Sequence, residues 1–458
     1  MLDAHEDVAS DPCITCLSSD GPGFFSGAES SRRPRSRRAH RALVDLAAAL
    51  LVIVAAGCSE SSGSSTLQPP APASSASSES PSPRFAGAPR DGDRFRNLYP
   101  FELPTLGDLA RWYWNWTLAG GTKPLQGGYD AIPVLMPDLV YLRANRTDTT
   151  VTWVGHSTVL LELAGLNVIT DPMFSQRASP FGFLGPERKV RVPFTIAQAP
   201  HADIVLISHN HYDHLDAASV VALARQPGGA PLFIVPLGLD RWMRAHGVDR
   251  VVALDWWNTH EVAAPLSVSG DRLRITFVPA QHWSSRWPGD RFETLWGGYV
   301  IERIEASSPD EVPWRFYFAC DTGYVPLFHD LIHARFDRFD LAAIPIGAYE
   351  PNEYLRAQHV NPEEVVRIHR ELHIAQSIGI HGGTFVLTSE PFDQPPRDLA
   401  AALVRAHVPA DRFVTFRHGE MRVLSRDLRG RGERSERARF RLDELNTMVY
   451  TATCAYHD

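Results

Sequence analysis

His209-Asn210-His211-Tyr212-Asp213-His214 follows directly on the apolar run ADIVLIS at 202–208. Four side chains able to bind a metal therefore stand within one short segment at the end of a strand. Neutral imidazole and carboxylate are the nitrogen and oxygen donors that Zn²⁺ accepts. On a loop, His209 and His211 can face one ion while Asp213 and His214 face a second. A single histidine here would read as a surface or core residue, but the H-x-H-x-D-H spacing does not.

The same arrangement recurs along the chain. LRITFVPA at 273–280 leads through Gln281 to His282, RFYFAC at 315–320 delivers Asp321, and QSIGI at 376–380 delivers His381. VTWVG at 151–155, VLLEL at 159–163 and NVIT at 167–170 also read as strands with turn residues between them, the last stopped by Asp171 and Pro172. Four strands that each present donors at their C-terminal ends point to one shared rim, where a rigid sheet converges polar groups on a site. Each ion needs ligands from outside the 209–214 run, and His282, His381 and Asp321 complete the set with Asp321 as a bridge. Metal-bound histidines usually give their second ring nitrogen to an acceptor, and Asp171 and Asp216 are candidates for that position. Trp283, Trp287 and Trp296 flank His282 and read equally as pocket wall or core.

With these residues in view, the chain resembles the metallo-β-lactamase superfamily. HNHYDHLD (209–216), PAQHWSSR (279–286), CDTGY (320–324), PIGAYEP (345–351), QHVNPEE (358–364) and IHGGTFVLTSEP (380–391) look like the N-acylphosphatidylethanolamine-hydrolysing phospholipase D branch and its bacterial homologues. The resemblance spans roughly 95–425 and implies an α/β fold, a four-layer αβ/βα sandwich with a dinuclear zinc site at one edge. It places one zinc on His209, His211 and His282 and the second on Asp213, His214 and His381, with Asp321 bridging. Gln358 and His359 match a substrate-pocket position. The implied reaction is cleavage of N-acyl-phosphatidylethanolamine, or of another phosphodiester, ester or lactone, by a hydroxide shared between the two ions; a non-enzymatic surface lipoprotein that keeps the fold for binding is the remaining alternative, which the full donor set argues against. Asp213 and Asp321 hold the ions, Asp321 also orients the hydroxide, and His359 donates to the phosphate or leaving group. A homodimer is left open. Cys320 stands where the pattern usually has Gly, and Gly382 where it more often has Trp; neither removes a ligand.

The rest of the chain frames this body. Among 458 residues, 44% are hydrophobic and 21% charged, which excludes a fully disordered or fibrous protein. The net charge of −8 argues against a nucleic-acid partner bound by bulk charge, and five cysteines are too few for a disulfide scaffold. RRPRSRRAHR at 32–41, the apolar stretch to Ala56 and Ala55-Ala56-Gly57-Cys58 follow the order of a signal peptide ending in a lipobox. An exported bacterial lipoprotein is expected, facing the periplasm or cell envelope, with residues 1–58 as signal and a lipid on Cys58 as its membrane contact. Residues 59–94 begin as a Ser/Pro/Ala-rich tether, 95–425 form the hydrolase domain, and 426–458 are a basic tail. Within the domain, TLGDLARWYWNWTL at 105–118 reads as a helix opened by a Thr105/Asp108 capping box. Its aromatic stripe suits core packing, or a lipid entrance.

Overall fold

The computed structural model describes residues 85–424, apart from 119–120, 122–124, 126, 266–269 and 310. The expected signal, most of the tether and the basic tail lie outside the described residues.

The described residues begin ahead of the domain start expected at residue 95. A small hairpin pairs β1 (Arg90–Asp91) with β2 (Arg94–Phe95), and the Phe95 side chain is buried in the core. Phe85 packs edge-on against Trp257 at 5.0 Å between ring centroids. The helix Leu106–Leu118 starts with the expected box: Asp108 N–H donates to Thr105 Oγ1, and Thr105 N–H donates to Asp108 Oδ2. Trp112 and Trp116 stack one turn apart and are half-buried, whereas Trp114 points to solvent.

The body is two seven-stranded sheets. The first takes β3 (Thr149–Gly155), β4 (Thr158–Leu163), β5 (Leu166–Thr170), β6 (Ile204–Leu206), β7 (Leu232–Pro236) and β8 (Val251–Leu254). The second takes β9 (Thr259–Ala263), β10 (Arg272–Val278), β11 (Gly298–Ile304), β12 (Trp314–Phe318), β13 (Phe339–Pro345), β14 (Ile374–Ile380) and β15 (Phe413–Thr415). The chain then returns, and β16 (Met421–Leu424) closes the first sheet beside β3.

Period-two geometry explains the layering. In β4 and β5, Val159, Leu161, Leu163 and Val168 enter the core between the sheets, while Leu160 and Ile169 face the other way. That outer face is covered by Leu142, Val220, Leu223 and Met243 from three short helices. The second sheet is covered by the helices Pro362–Glu371 and Gln394–Arg405, through residues such as Val365, Ile368, Leu399 and Leu403. Strands buried on both faces read as continuous apolar runs rather than alternating ones, as TVLLEL does. Each fully buried Leu, Ile or Val contributes about 1.5–3 kcal/mol relative to leaving it exposed. The result is the four-layer αβ/βα sandwich. Among the described residues, no helix is long and apolar enough to cross a membrane.

Strand direction is what gathers the site. β10 and β12 are each antiparallel to β11, and β12, β13 and β14 run parallel, so β10, β12 and β14 end at one edge. In the first sheet β3, β5 and β6 likewise share a direction, through two antiparallel steps and one parallel step.

Candidate metal centre

All seven expected donors meet at that edge. His209, His211 and His282 bring one ligand atom each within 4.8 Å of one another, and so do Asp213, His214 and His381. In the first group, His209 Nε2 lies 2.9 Å and His282 Nε2 3.3 Å from His211 Nδ1. In the second, His214 Nε2 and His381 Nε2 are each 3.4 Å from Asp213 Oδ2. Asp321 stands between the groups. Its Oδ2 is 3.0 Å from His381 Nε2, 3.1 Å from His214 Nε2 and 3.9 Å from His282 Nε2.

Hydrogen bonds behind the donors set which ring nitrogen faces inward. His214 Nδ1 donates to Asp171 Oδ2 at 2.7 Å, and His282 Nδ1 donates to the Gln358 carbonyl at 3.0 Å. Ser208 Oγ donates to Asp171 and accepts from His209 Nδ1 at 2.9 Å. Each of these bonds holds an Nε2 toward the centre, the arrangement a metal-ligating histidine requires. His211 is turned the other way and presents Nδ1. Asp171 therefore sits where expected, whereas Asp216 does not. Its carboxylate caps the helix Ala217–Ala224 and binds Ser175 and Ser219, because the chain turns into that helix immediately after the donor run.

The sequence reading passed over His156. Its Nε2 lies 2.9 Å from Asp213 Oδ2, and it joins Asp213, His214 and His381 as a fourth member of their group. Its backbone is held on both sides. Its N–H donates to Thr384 Oγ1, and its carbonyl accepts from Trp153 Nε1 and from the His381 N–H. The available signal was the one used elsewhere, an apolar strand running into a donor: VTWVG ends at Gly155, and His156 is next.

Local backbone follows from the same demand. His156, Asp171, Cys320 and His381 all have positive φ, between 33° and 62°, where strands bend out into the site. Non-glycine residues rarely adopt this region, and such conformations concentrate at functional sites. That explains why Gly is usual at the Cys320 position. The Cys320 thiol is fully buried, clear of the donor groups, with Sγ on the Asp321 carbonyl. At Gly382 a Cβ would meet Ile346 and Pro395 at 3.6 Å, an ordinary contact, so a side chain there is sterically admissible.

The remaining expected residues divide. His359 reaches the centre, with Nδ1 3.9 Å from Asp321 Oδ2 and its ring 5.5 Å from that of His381. Gln358 supports rather than faces it: its carbonyl orients His282 and its side-chain oxygen accepts from Trp283 Nε1. Trp283 stands edge-on to His211 at 4.6 Å and walls the site. Trp296 is core, donating to the Ala280 carbonyl, and Trp287 is 63% exposed.

Charge in so buried a site must be balanced. Burial pushes the Asp321 and Asp213 carboxyls up, yet neighbouring imidazoles, His214 foremost, hold both well below the usual carboxylate range. Burial equally opposes protonation of His214 and His381, but Asp321 first and Asp213 second overrule it. His214 is raised well above its ordinary value, and His381 to about 9. Burial dominates at His209 and His282, which are pushed far down, and at His211 and His359, pushed to about 4.

The donor set fits a divalent metal pair. His214 Nε2, His381 Nε2 and Asp321 Oδ1 are buried and make no hydrogen bond, although both imidazole nitrogens lie within 3.4 Å of carboxylate oxygens. Buried polar atoms left in this way call for a partner the chain itself does not provide. Ligands must shed protons to bind metal, so metal and protons compete for His214 and His381. A histidine whose folded pKa is raised stabilises the fold below its unfolded value, about 6.5, and loses that contribution as pH climbs through the folded value. Chelator-treated protein is therefore expected to lose stability between pH 6.5 and about 9, the value reached by His381. Metal-loaded protein has no such loss, so the gap in Tm between the two should widen with pH over this window. A constant or shrinking gap in thermal scans would contradict the charge balance described.

Comparison with known proteins agrees with this geometry. Residues 166–382 match the model of the β-lactamase superfamily domain, a span that contains all seven expected donors and begins after His156. Over 277 residues the chain is 36% identical to N-acyl-phosphatidylethanolamine-hydrolyzing phospholipase D 1 of Caenorhabditis elegans, covering 59% of this chain and 74% of that one. An uncharacterised protein of Mycobacterium tuberculosis is 38% identical over 327 residues, covering 70% of this chain and 80% of the other. The mitochondrial N-acyl-phosphatidylethanolamine-hydrolyzing phospholipase D of Saccharomyces cerevisiae is 36% identical over 249 residues, covering 54% and 50% respectively.

Proposed function

The chain belongs to the metallo-β-lactamase superfamily and is related to the N-acyl-phosphatidylethanolamine-hydrolysing phospholipases D, and from that premise we propose that it is a dinuclear-zinc phosphodiesterase. The fold is that of a metal-dependent hydrolase. The observation that carries the proposal is a pair of three-donor groups sharing Asp321, rich in imidazole and free of thiolate, a set that suits zinc.

His209, His211 and His282 would hold one ion and Asp213, His214 and His381 the other, with Asp321 common to both. Bound there, two zinc ions supply Lewis acidity and lower the pKa of a water to about 7. The proposed substrate is N-acyl-phosphatidylethanolamine. A water oxygen bonds to phosphorus, the bond from phosphorus to the ethanolamine oxygen breaks, and a water proton ends on that oxygen. The products are phosphatidic acid and N-acylethanolamine.

The chain's own residues supply position and protons. Asp171, Ser208 and Gln358 fix the rings of His214, His209 and His282 before substrate arrives, so little reorganisation remains at the moment of reaction. Trp283 excludes water on the His211 side. His359, at about 4, is neutral near pH 7 and serves as a hydrogen-bond donor to the phosphate rather than as a charged acid. A neutral hydrogen bond is worth about 0.5–1.5 kcal/mol, so His359→Ala is expected to lower kcat/KM about 2- to 12-fold with metal content unchanged. A loss confined to zinc content would instead make His359 a ligand.

The envelope placement is part of the same proposal and rests on residues 32–58 alone. Cys58→Ser is expected to move the protein from the membrane fraction to the soluble one. Retention of the variant in the membrane would remove the lipid anchor from the account. Substrate identity is tested by products: zinc-loaded protein should release N-acylethanolamine from N-acyl-phosphatidylethanolamine, whereas free fatty acid would assign an acyl hydrolase.

A further inference from the structure

A second set of metal donors lies at the other end of the strands. His333, Asp337 and His373 each offer one ligand atom, and the three atoms lie within 4.8 Å of one another. They come from two separate segments. His333 ends the π-helical turn Phe328–His333, with Asp337 one turn on, and its N–H donates to the His333 carbonyl. His373 follows the helix Pro362–Glu371, one residue past its C-cap. The two imidazoles meet edge to face, with ring centroids 4.6 Å apart.

His333 Nδ1 is buried and has no hydrogen-bond partner, although its neighbours include a carboxylate and a second imidazole. Among the described residues it is the one such imidazole nitrogen outside the catalytic edge, where others are paired: His369 Nδ1 with Ser377 Oγ, and His418 Nε2 with Thr384 Oγ1. Two imidazoles and a carboxylate are the donor chemistry of a divalent transition ion, with water completing a four-coordinate shell.

An ion held here would have a mechanical role. Asp337 and His373 stand just ahead of β13 and β14, whose first register pair is Phe339 with Ile374. His373 and His381 flank the same strand, so at about 3.3 Å per residue the two centres are roughly 25 Å apart. They share no side chain.

We propose that His333, Asp337 and His373 form a third transition-metal site, a clip that ties the entries of β13 and β14 together at the edge opposite the catalytic centre. The site is independent of the zinc pair proposed above, and its test is arranged to keep them apart. Wild-type protein, His373→Ala and Asp337→Asn are equilibrated across a buffered zinc series and their metal content is measured. The catalytic-edge ions cancel in the comparison, whatever their number. The expected result is one zinc fewer per chain in both variants at the upper end of the series. Hydrolase activity should be unchanged, and the rise in Tm on zinc addition should be smaller than in wild type. Equal metal content in the three proteins would overturn the proposal. So would an equal zinc-induced rise in Tm, since a bound ion that ties nothing is not a clip. A fold control is built in, because a variant that loses activity as well as metal is replaced by His333→Gln, which keeps a polar side chain of similar length.

Discussion

Asp321→Asn is expected to lower hydrolysis on the order of 1,000-fold and to reduce the zinc retained after dialysis. The substitution keeps the shape of the side chain and removes only its charge. Among the described residues, Asp321 Oδ2 is the one carboxylate oxygen paired within 4 Å with imidazoles of both groups, so its charge is what lets two cations approach each other. The same charge favours protonation of His214 and His381, whose Nε2 atoms lie 3.1 and 3.0 Å from it. Asparagine offers a neutral oxygen and an N–H pair to these rings, and one amide face becomes repulsive to a cation. Metal content by mass spectrometry, alongside activity, checks this. A variant with full zinc and full activity would mean that Asp321 is a structural partner of two histidines and no more.

His156→Ala is expected to weaken binding of the second ion about 10–100-fold, the usual consequence of removing a side chain that orients a ligand. His156 Nε2 meets the Asp213 oxygen that also lies 3.4 Å from His214 and His381. Without that ring, Asp213 is free to rotate away from the group. Activity should fall at limiting zinc and recover as zinc is raised, which a damaged fold would not do. Zinc titration of activity distinguishes the cases. Loss that no zinc concentration restores would make His156 a catalytic residue, and no loss at all would leave its burial unexplained.

His156 also marks where the sequence was legible and where it was not. Donors clustered at 209–214 announced themselves by spacing, and His282, Asp321 and His381 by following apolar runs. His156 follows an apolar run too, but it stands alone, and a lone histidine reads as core. What makes it part of the site is that β3 and β6 share a direction, a fact of sheet order rather than of local pattern. Asp216 failed for the opposite reason. It is adjacent to the donors in sequence, yet the chain enters a helix there and the carboxylate is consumed as a cap. Trp296 and Trp287 show the same limit: nearness to His282 in sequence placed one in the core and the other in solvent. Apolar runs between turn residues gave β3, β4, β5, β6, β10, β12 and β14, but not the other seven strands of the two sheets. Strand edges were less legible, because ADIVLIS reads as a strand to Ser208 while the pairing of β6 stops at Leu206.

Hydrolysis of N-acyl-phosphatidylethanolamine in water enriched in ¹⁸O, with the products weighed by mass spectrometry, tests the central claim most directly. The account requires attack at phosphorus, so one ¹⁸O should appear in the phosphate of phosphatidic acid and none in N-acylethanolamine. Label in a fatty acid carboxylate, or no turnover by protein that retains two zinc ions, would contradict it.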